Sequence, residues 1–209
     1  SYNTTGTREL NIKLTLPGEF SVYNSLCAIA VSEHFNVDEK LLLDALYNTR
    51  VAGRVEPVKV SDDFIVIIDY AHNAMSLESL LSTLREYNPN RIVCLFGCGG
   101  NRSKLRRFEM GEVSGRMADL TIITSDNPRD EDPALIMQDI ETGIKKTSGS
   151  YVMIEDRGEA VKYAIEHGEK GDIIVLAGKG HEDYQEIKGV RYHQTDKELV
   201  QKAMEDLAR

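Results

Sequence analysis

Four short polar segments carry the groups in this sequence that could hold ions. Gly97-Cys98-Gly99-Gly100-Asn101-Arg102 places glycines, whose missing side chains let backbone N–H groups approach an anion, beside a guanidinium. Lys104, Arg106 and Arg107 follow within the next turn. The same residues also suit a tight turn with a solvated basic face, and they form neither G-x-G-x-x-G nor a P-loop. In Asp126-Asn127-Pro128-Arg129 the proline stiffens the loop, Asn127 offers amide donors and an acceptor, and Arg129 a planar fork suited to a carboxylate. Here the plain alternative is an Asx turn, with Asp126 or Asp132 capping a helix that starts near Pro133. Gly178-Lys179-Gly180-His181-Glu182-Asp183 sets Glu182, an anion able to receive an ammonium, in a loop that also suits a flexible turn. Asp69-Tyr70-Ala71-His72-Asn73 offers an acid that could accept ribose hydroxyls and a histidine that could meet phosphate.

Other chemistries find little support. The five histidines, at 34, 72, 167, 181 and 193, show no zinc-binding spacing. No G-x-S-x-G is present, so a nucleophile elbow is not expected. The odd count of three cysteines, Cys27, Cys94 and Cys98, has no metal spacing and fits reduced thiols of a cytoplasmic protein.

Elements that would position these loops are visible in the apolar pattern. Phe64–Ile68, Arg91–Phe96, Leu120–Thr124, Tyr151–Ile154 and Asp172–Ala177 are short apolar runs. Helical stretches at 76–87, 105–117, 133–146 and 157–168 lie between them. Continuous apolar strands alternating with helices predict an α/β fold whose mostly parallel sheet is buried on both faces. Ligands bind such sheets at the carboxyl ends of the strands, where all four polar segments fall. A hairpin about Lys188-Gly189 and a helix from Asp196 are expected near the end.

Residues 1–52 differ in pattern. They predict a strand over Glu9–Leu16, a turn at Pro17-Gly18 and two helices. In the first helix Val22, Leu26, Ile29, Ala30 and Phe35 would share a face; in the second Asp38 would cap and Leu41, Leu42 and Leu46 would be buried.

The 209 residues are 41% hydrophobic and 28% charged, with a formal net charge of −9. An acidic chain without a basic block is not expected to bind nucleic acid. No apolar run approaches the ~20 residues of a membrane span, and none near Ser1–Asn11 suits a signal peptide.

Taken together, the segments resemble the Mur ligases of peptidoglycan synthesis. The resemblance rests on Leu16-Pro17-Gly18 through Tyr23-Asn24-Ser25, Gly53-Arg54-Val55-Glu56, Asp69-Tyr70-Ala71-His72, Phe96 through Arg102, Asp126 through Arg129 and Gly178 through Tyr184, in the family's order. It implies ATP-dependent amide formation through an acyl phosphate, with Mg²⁺. It further implies a Rossmann-like C-terminal domain over 53–209, with helices on both faces of its sheet. A small strand-plus-helices remnant of the central ATPase domain would precede it over 1–52. Within the family the match leans toward ligases that add meso-diaminopimelate to UDP-MurNAc-L-Ala-D-Glu.

The resemblance also implies roles. Asn24 would contact adenine. Arg54 and Asp69 would hold the phosphate and ribose of ATP, with His72 close by. Arg102, Asn127 and Arg129 would hold the amino acid's distal carboxylate, supported by Asp126, while the Gly178 carbonyl and Glu182 would take its distal ammonium. Three places depart from the family's pattern: Ala52 before Gly-Arg, Leu105 and Phe108 after the glycine-rich loop, and Asn73-Ala74-Met75 after His72.

No G-x-x-x-x-G-K-[ST] occurs anywhere in the sequence. The expectation is a fragment, inactive as a ligase alone, whose partners are the missing UDP-binding and central domains. The alternatives are a related ligase for lysine or another amino acid, folylpolyglutamate synthetases included, and a non-enzymatic ligand-binding module.

Overall fold

A computed structural model describes residues 2–4, 8–15 and 18–208 of the chain. These divide into two compact units, Ser1–Val51 and Ala52–Arg209.

In the first unit, β1 (Tyr2–Thr4) pairs antiparallel with β2 (Arg8–Leu10), followed by α1 (Glu19–His34) and α2 (Glu39–Asn48). Leu10, Ile29 and Leu42 form a small core, with Ile12, Leu26 and Leu46 packed against it. Asp38 caps α2 as expected, accepting from the Leu41 N–H at 3.1 Å. The expected strand over Glu9–Leu16 is shorter: its ladder stops at Leu10, and residues 11–15 are unpaired. Leu16 and Pro17 lie outside the described residues. Leu41 is not buried but 64% exposed, because it sits about 100° around the helix from the Leu42–Leu46 stripe. Phe35 is 71% exposed because it caps α1 rather than continuing it, and Ala30 is exposed as well.

The second unit begins with β3 (Glu56–Val58), β4 (Ile65–Asp69), α3 (Ala74–Arg85), β5 (Ile92–Phe96) and α4 (Lys104–Met117). Then come β6 (Leu120–Ile123), α5 (Pro133–Ile144), β7 (Tyr151–Met153), α6 (Arg157–Glu166) and β8 (Ile173–Ala177). A hairpin of β9 (Tyr184–Ile187) and β10 (Val190–His193) precedes α7 (Asp196–Leu207). The main sheet has the order β3-β4-β8-β5-β6-β7 and is parallel except at β3. β3, unforeseen in the sequence, carries Pro57, which an edge strand tolerates.

Side chains alternate across the sheet with the period of two that a strand imposes. Ile67, Cys94, Phe96 and Val175 face Leu77, Leu81, Met110 and Ile140 of α3, α4 and α5. Val66, Ile68, Leu95 and Ile174 face Val161, Ala164 and Val200 of α6 and α7. Burial on both faces is what the apolar runs required.

Helix starts follow local polar chemistry. Asn73 and Ser76 form a reciprocal capping box on α3, as do Thr195 and Glu198 on α7. Asp132, not Asp126, caps α5, accepting from the Ala134 N–H at 2.9 Å ahead of Pro133.

Most important for a site, β8 lies between β4 and β5. The loops after β4, β8, β5 and β6 therefore leave four adjacent strands at one sheet edge.

Candidate functional site

These four loops enclose a cavity of about 300 Å³. Its lining includes His72, Arg102, Asp126, Asn127, Arg129, Gly178 and Glu182, all singled out in the sequence. Tyr70, Cys98 and Arg106 line it as well. Arg54 and Asp69 do not, and Asn24 is an exposed residue of the other unit.

The cavity is held by loop-to-loop contacts. A Cβ on Gly100 would collide with the Pro128 backbone, so the bare α-carbon is what lets the two loops nest, and the Gly100 N–H donates to Asn127 O at 2.8 Å. Behind the loops, the buried guanidinium of Arg107 grips both Glu131 oxygens, from Nη2 at 2.7 Å and Nη1 at 2.9 Å, and Asp139 at 2.9 Å. The Asn101 N–H donates to Glu131 at 2.5 Å, so a single ion-pair network anchors the glycine-rich loop to the start of α5. Arg107 and Asn101 together hold the Glu131 carboxyl below the usual carboxylate range.

Strand β9 supports the Asp126–Arg129 loop. The Arg129 N–H donates to Glu186 O at 3.0 Å and the Lys188 N–H to Arg129 O at 2.8 Å. The Gln185 side chain donates to Asp126 O at 2.8 Å. These bonds hold Arg129 at a φ of 53°, a left-handed conformation uncommon for a residue with a side chain. Its Nη1 donates to Gly100 O at 2.7 Å and its Nε lies 3.4 Å from Glu186 Oε2.

Asn127 is the polar hub. Its Oδ1 accepts from the Glu186 N–H at 2.9 Å and from Lys179 Nζ at 3.3 Å, and its Nδ2 donates to Glu182 Oε2 at 2.9 Å. Asp126 Oδ1 accepts from the Asn127 N–H at 2.6 Å, which supports the loop. Tyr70 donates to Glu182 Oε1 at 3.4 Å; burial and then the Glu182 charge raise its phenol above the ordinary range. Burial, followed by the Asp126 charge, pushes the Cys98 thiol up to about 12, so at neutral pH it is a protonated wall and not a nucleophile.

Asp69 is tied to backbone. Its two oxygens accept from the Val55 and Ala71 N–H groups, each at 2.8 Å, inside a nearly closed setting. Burial raises its carboxyl above the usual value, and the two N–H bonds and the Arg54 charge oppose that rise. Its observed work is to pin two backbone turns together. Arg54 stacks over the Tyr70 ring at 4.7 Å, and the exposed His72 packs edge-on against the same ring at 4.7 Å.

The burial of three cations is not foreshadowed in the sequence: Lys179 and Arg107 stand in or beside loops already named, and Arg157 does not. Arg157 pairs with Asp196 at 2.7 Å, with both side chains fully buried, and donates to Ala177 O at the end of β8. Lys179 stood in a quoted loop, but its pattern with glycines suits a solvated turn equally well. For Arg107 and Arg157 no local signal marks such burial, because their charged partners lie 24 to 39 residues away along the chain.

The comparisons agree with this architecture. A family model described as "Mur ligase, glutamate ligase domain" matches residues 53–180. The UDP-N-acetylmuramoyl-L-alanyl-D-glutamate–2,6-diaminopimelate ligase of Caldanaerobacter subterraneus subsp. tengcongensis is 49% identical over 176 residues, 84% of this chain and 36% of its own length. That of Alkaliphilus metalliredigens is 45% identical over 180 residues, again 36% of its length. A solved structure of a ligase of the same name superposes with a TM-score of 0.73 at 36% identity, covering 95% of this chain and 41% of the other. The chain thus spans little more than a third of the curated relatives it matches. With the match over 53–180 and the parallel sheet it covers, the chain belongs to the Mur ligase family.

Proposed function

We propose that the chain is the part of an ATP-dependent amide ligase that receives an incoming amino acid, meso-diaminopimelate, for addition to UDP-MurNAc-L-Ala-D-Glu in peptidoglycan synthesis. The observation that carries this reading is the single cavity lined by Arg102, Arg106 and Arg129 together with Asp126 and Glu182. Such a mixture suits a ligand end that carries both a carboxylate and an ammonium. The names of the relatives point to the same substrate.

Arg129, Arg102 and the Asn127 amide would hold the distal carboxylate. Glu182 and the Gly178 carbonyl would hold the distal ammonium, with Asp126 keeping the loop in place. Facing lysine, which lacks that carboxylate, Arg129 would stand as a cation beside a cation, a mismatch that selects against it. Holding the far end of the amino acid fixes where its reacting amine lies, which is the positional part of catalysis.

The chemistry that ATP supplies in such a ligase is activation of the acceptor's carboxylate as an acyl phosphate. Arg54 and His72, both exposed beside Tyr70, fit a phosphate; Asp69, with its oxygens engaged by backbone, fits a ribose poorly. Asn24 is an exposed position available to adenine. Among the described residues no group of three or more His, Cys, Asp or Glu could hold a metal ion; Mg²⁺, which takes one or two carboxylates and the phosphates of its nucleotide, would in this proposal find its ligands mostly in the central domain. Residues 1–52 belong, in this proposal, to the central ATPase domain, whose remainder and the UDP-binding domain are the partners. The setting is cytoplasmic; among the described residues no helix is long and apolar enough to cross a membrane.

Isothermal titration of the chain tests the proposal. Measurable binding of meso-diaminopimelate, much weaker binding of L-lysine, and loss of the preference in Arg129→Ala are expected. Equal binding of both amino acids by the unaltered chain would refute it.

A further inference from the structure

We infer that Lys179 is a positioning residue that sets which amino acid the cavity prefers, an inference that rests on the ligand reading above. Its side chain is wholly buried. A lysine ammonium is strongly hydrated, and burying it is costly unless acceptors replace the water. Here they do. Nζ donates to Tyr184 O at 2.6 Å and to Asn127 Oδ1 at 3.3 Å, and it lies 3.6 Å from Glu182 Oε2. Two of these three groups are side chains that line the cavity.

Two consequences follow. First, Lys179 and the Glu186 N–H occupy Asn127 Oδ1 from the protein side. The amide must then turn its NH2 away from them, so that one N–H meets Glu182 and the other remains for a ligand acceptor. Secondly, the ammonium offsets the Glu182 charge from behind. The lining itself, Arg102, Arg106 and Arg129 against Asp126 and Glu182, is cationic on balance, and Lys179 behind Glu182 makes it more so. A ligand must bring a carboxylate as well as an ammonium to satisfy it. Without Lys179, Glu182 would be less compensated and Asn127 less firmly oriented. Both changes favour a ligand end that is only a cation.

The experiment is a titration of the unaltered chain and of Lys179→Met with meso-diaminopimelate and L-lysine, followed by amide NMR shifts, which read millimolar affinities. Methionine keeps the length and removes the charge. Diaminopimelate affinity is expected to fall about tenfold, the loss of one charge-assisted bond, with lysine affinity falling less or rising. The preference would then narrow by a factor of three or more, roughly. A parallel loss for both ligands would make Lys179 a structural strut and overturn the inference, as would no change for either. Failure of the unaltered chain to bind either amino acid would overturn the ligand reading, and this inference with it. Should Lys179→Met not fold, the Nζ resonance of ¹⁵N-lysine-labelled unaltered chain decides. It is expected to move on saturation with meso-diaminopimelate, and a stationary signal while Arg129 responds would overturn the inference.

Discussion

Asn127 donates from Nδ2 to Oε2 of Glu182 across 2.9 Å, joining two loops 55 residues apart in the chain. The amide carries two further bonds on its other end. Asn127→Ala would leave the Glu186 N–H without its acceptor and take one of its acceptors from the buried Lys179 ammonium. A loss of about 1–3 kcal/mol in unfolding free energy is expected from denaturant titration. An unchanged midpoint would mean that the hub adds nothing to stability.

A second prediction concerns the buried pair of Arg157 and Asp196. Asp196→Ala leaves an uncompensated cation and should cost about 3–5 kcal/mol. The double replacement Arg157→Met with Asp196→Leu should recover most of that loss. Equal destabilisation by the single and double variants would contradict this.

Glu131 provides a test by pH. Its carboxyl is lowered by Arg107, so its folded value lies below its unfolded one. Such a group contributes stability that is fully present above the unfolded pKa, about 4.3, and is lost as pH falls through the folded value. Stability should therefore fall less steeply below about pH 4.3 in Glu131→Gln than in the unaltered chain. Parallel curves would show that Arg107 does not hold this carboxylate.

Gly100 offers a steric test. A methyl group there meets the Pro128 backbone, which has no flexible end to yield. Gly100→Ala should cost about 1–3 kcal/mol and weaken meso-diaminopimelate binding by spreading the two loops. Full affinity in this variant would show that nesting of the loops does not shape the cavity.

Much of this was legible in the sequence because it is written locally. The runs IVII, IVCLF and IIVLA mark strands buried on both faces, and the polar segments that follow them fall at the carboxyl ends by necessity. Asp38 and Asp132 announced helix starts. What stayed hidden depends on partners distant in the chain. Nothing near Lys179 or Arg157 tells that they are enclosed, since Asn127 and Asp196 complete them only after folding. The strand order that seats β8 beside β4 is likewise set by packing, not by local propensity. Asp69 is a mixed case: its residue type and place suggest a ribose acceptor, while the Val55 and Ala71 N–H groups that its oxygens accept from are visible only after folding.

The most direct measurement is an NMR titration of the assigned chain with meso-diaminopimelate, reading side-chain signals at each loop. Saturable shifts at Arg102, Asn127 and Arg129, together with Gly178 and Glu182, are what a shared zwitterion pocket at four strand ends requires. Shifts confined to one of those loops, or scattered over the far edge of the sheet, would contradict it.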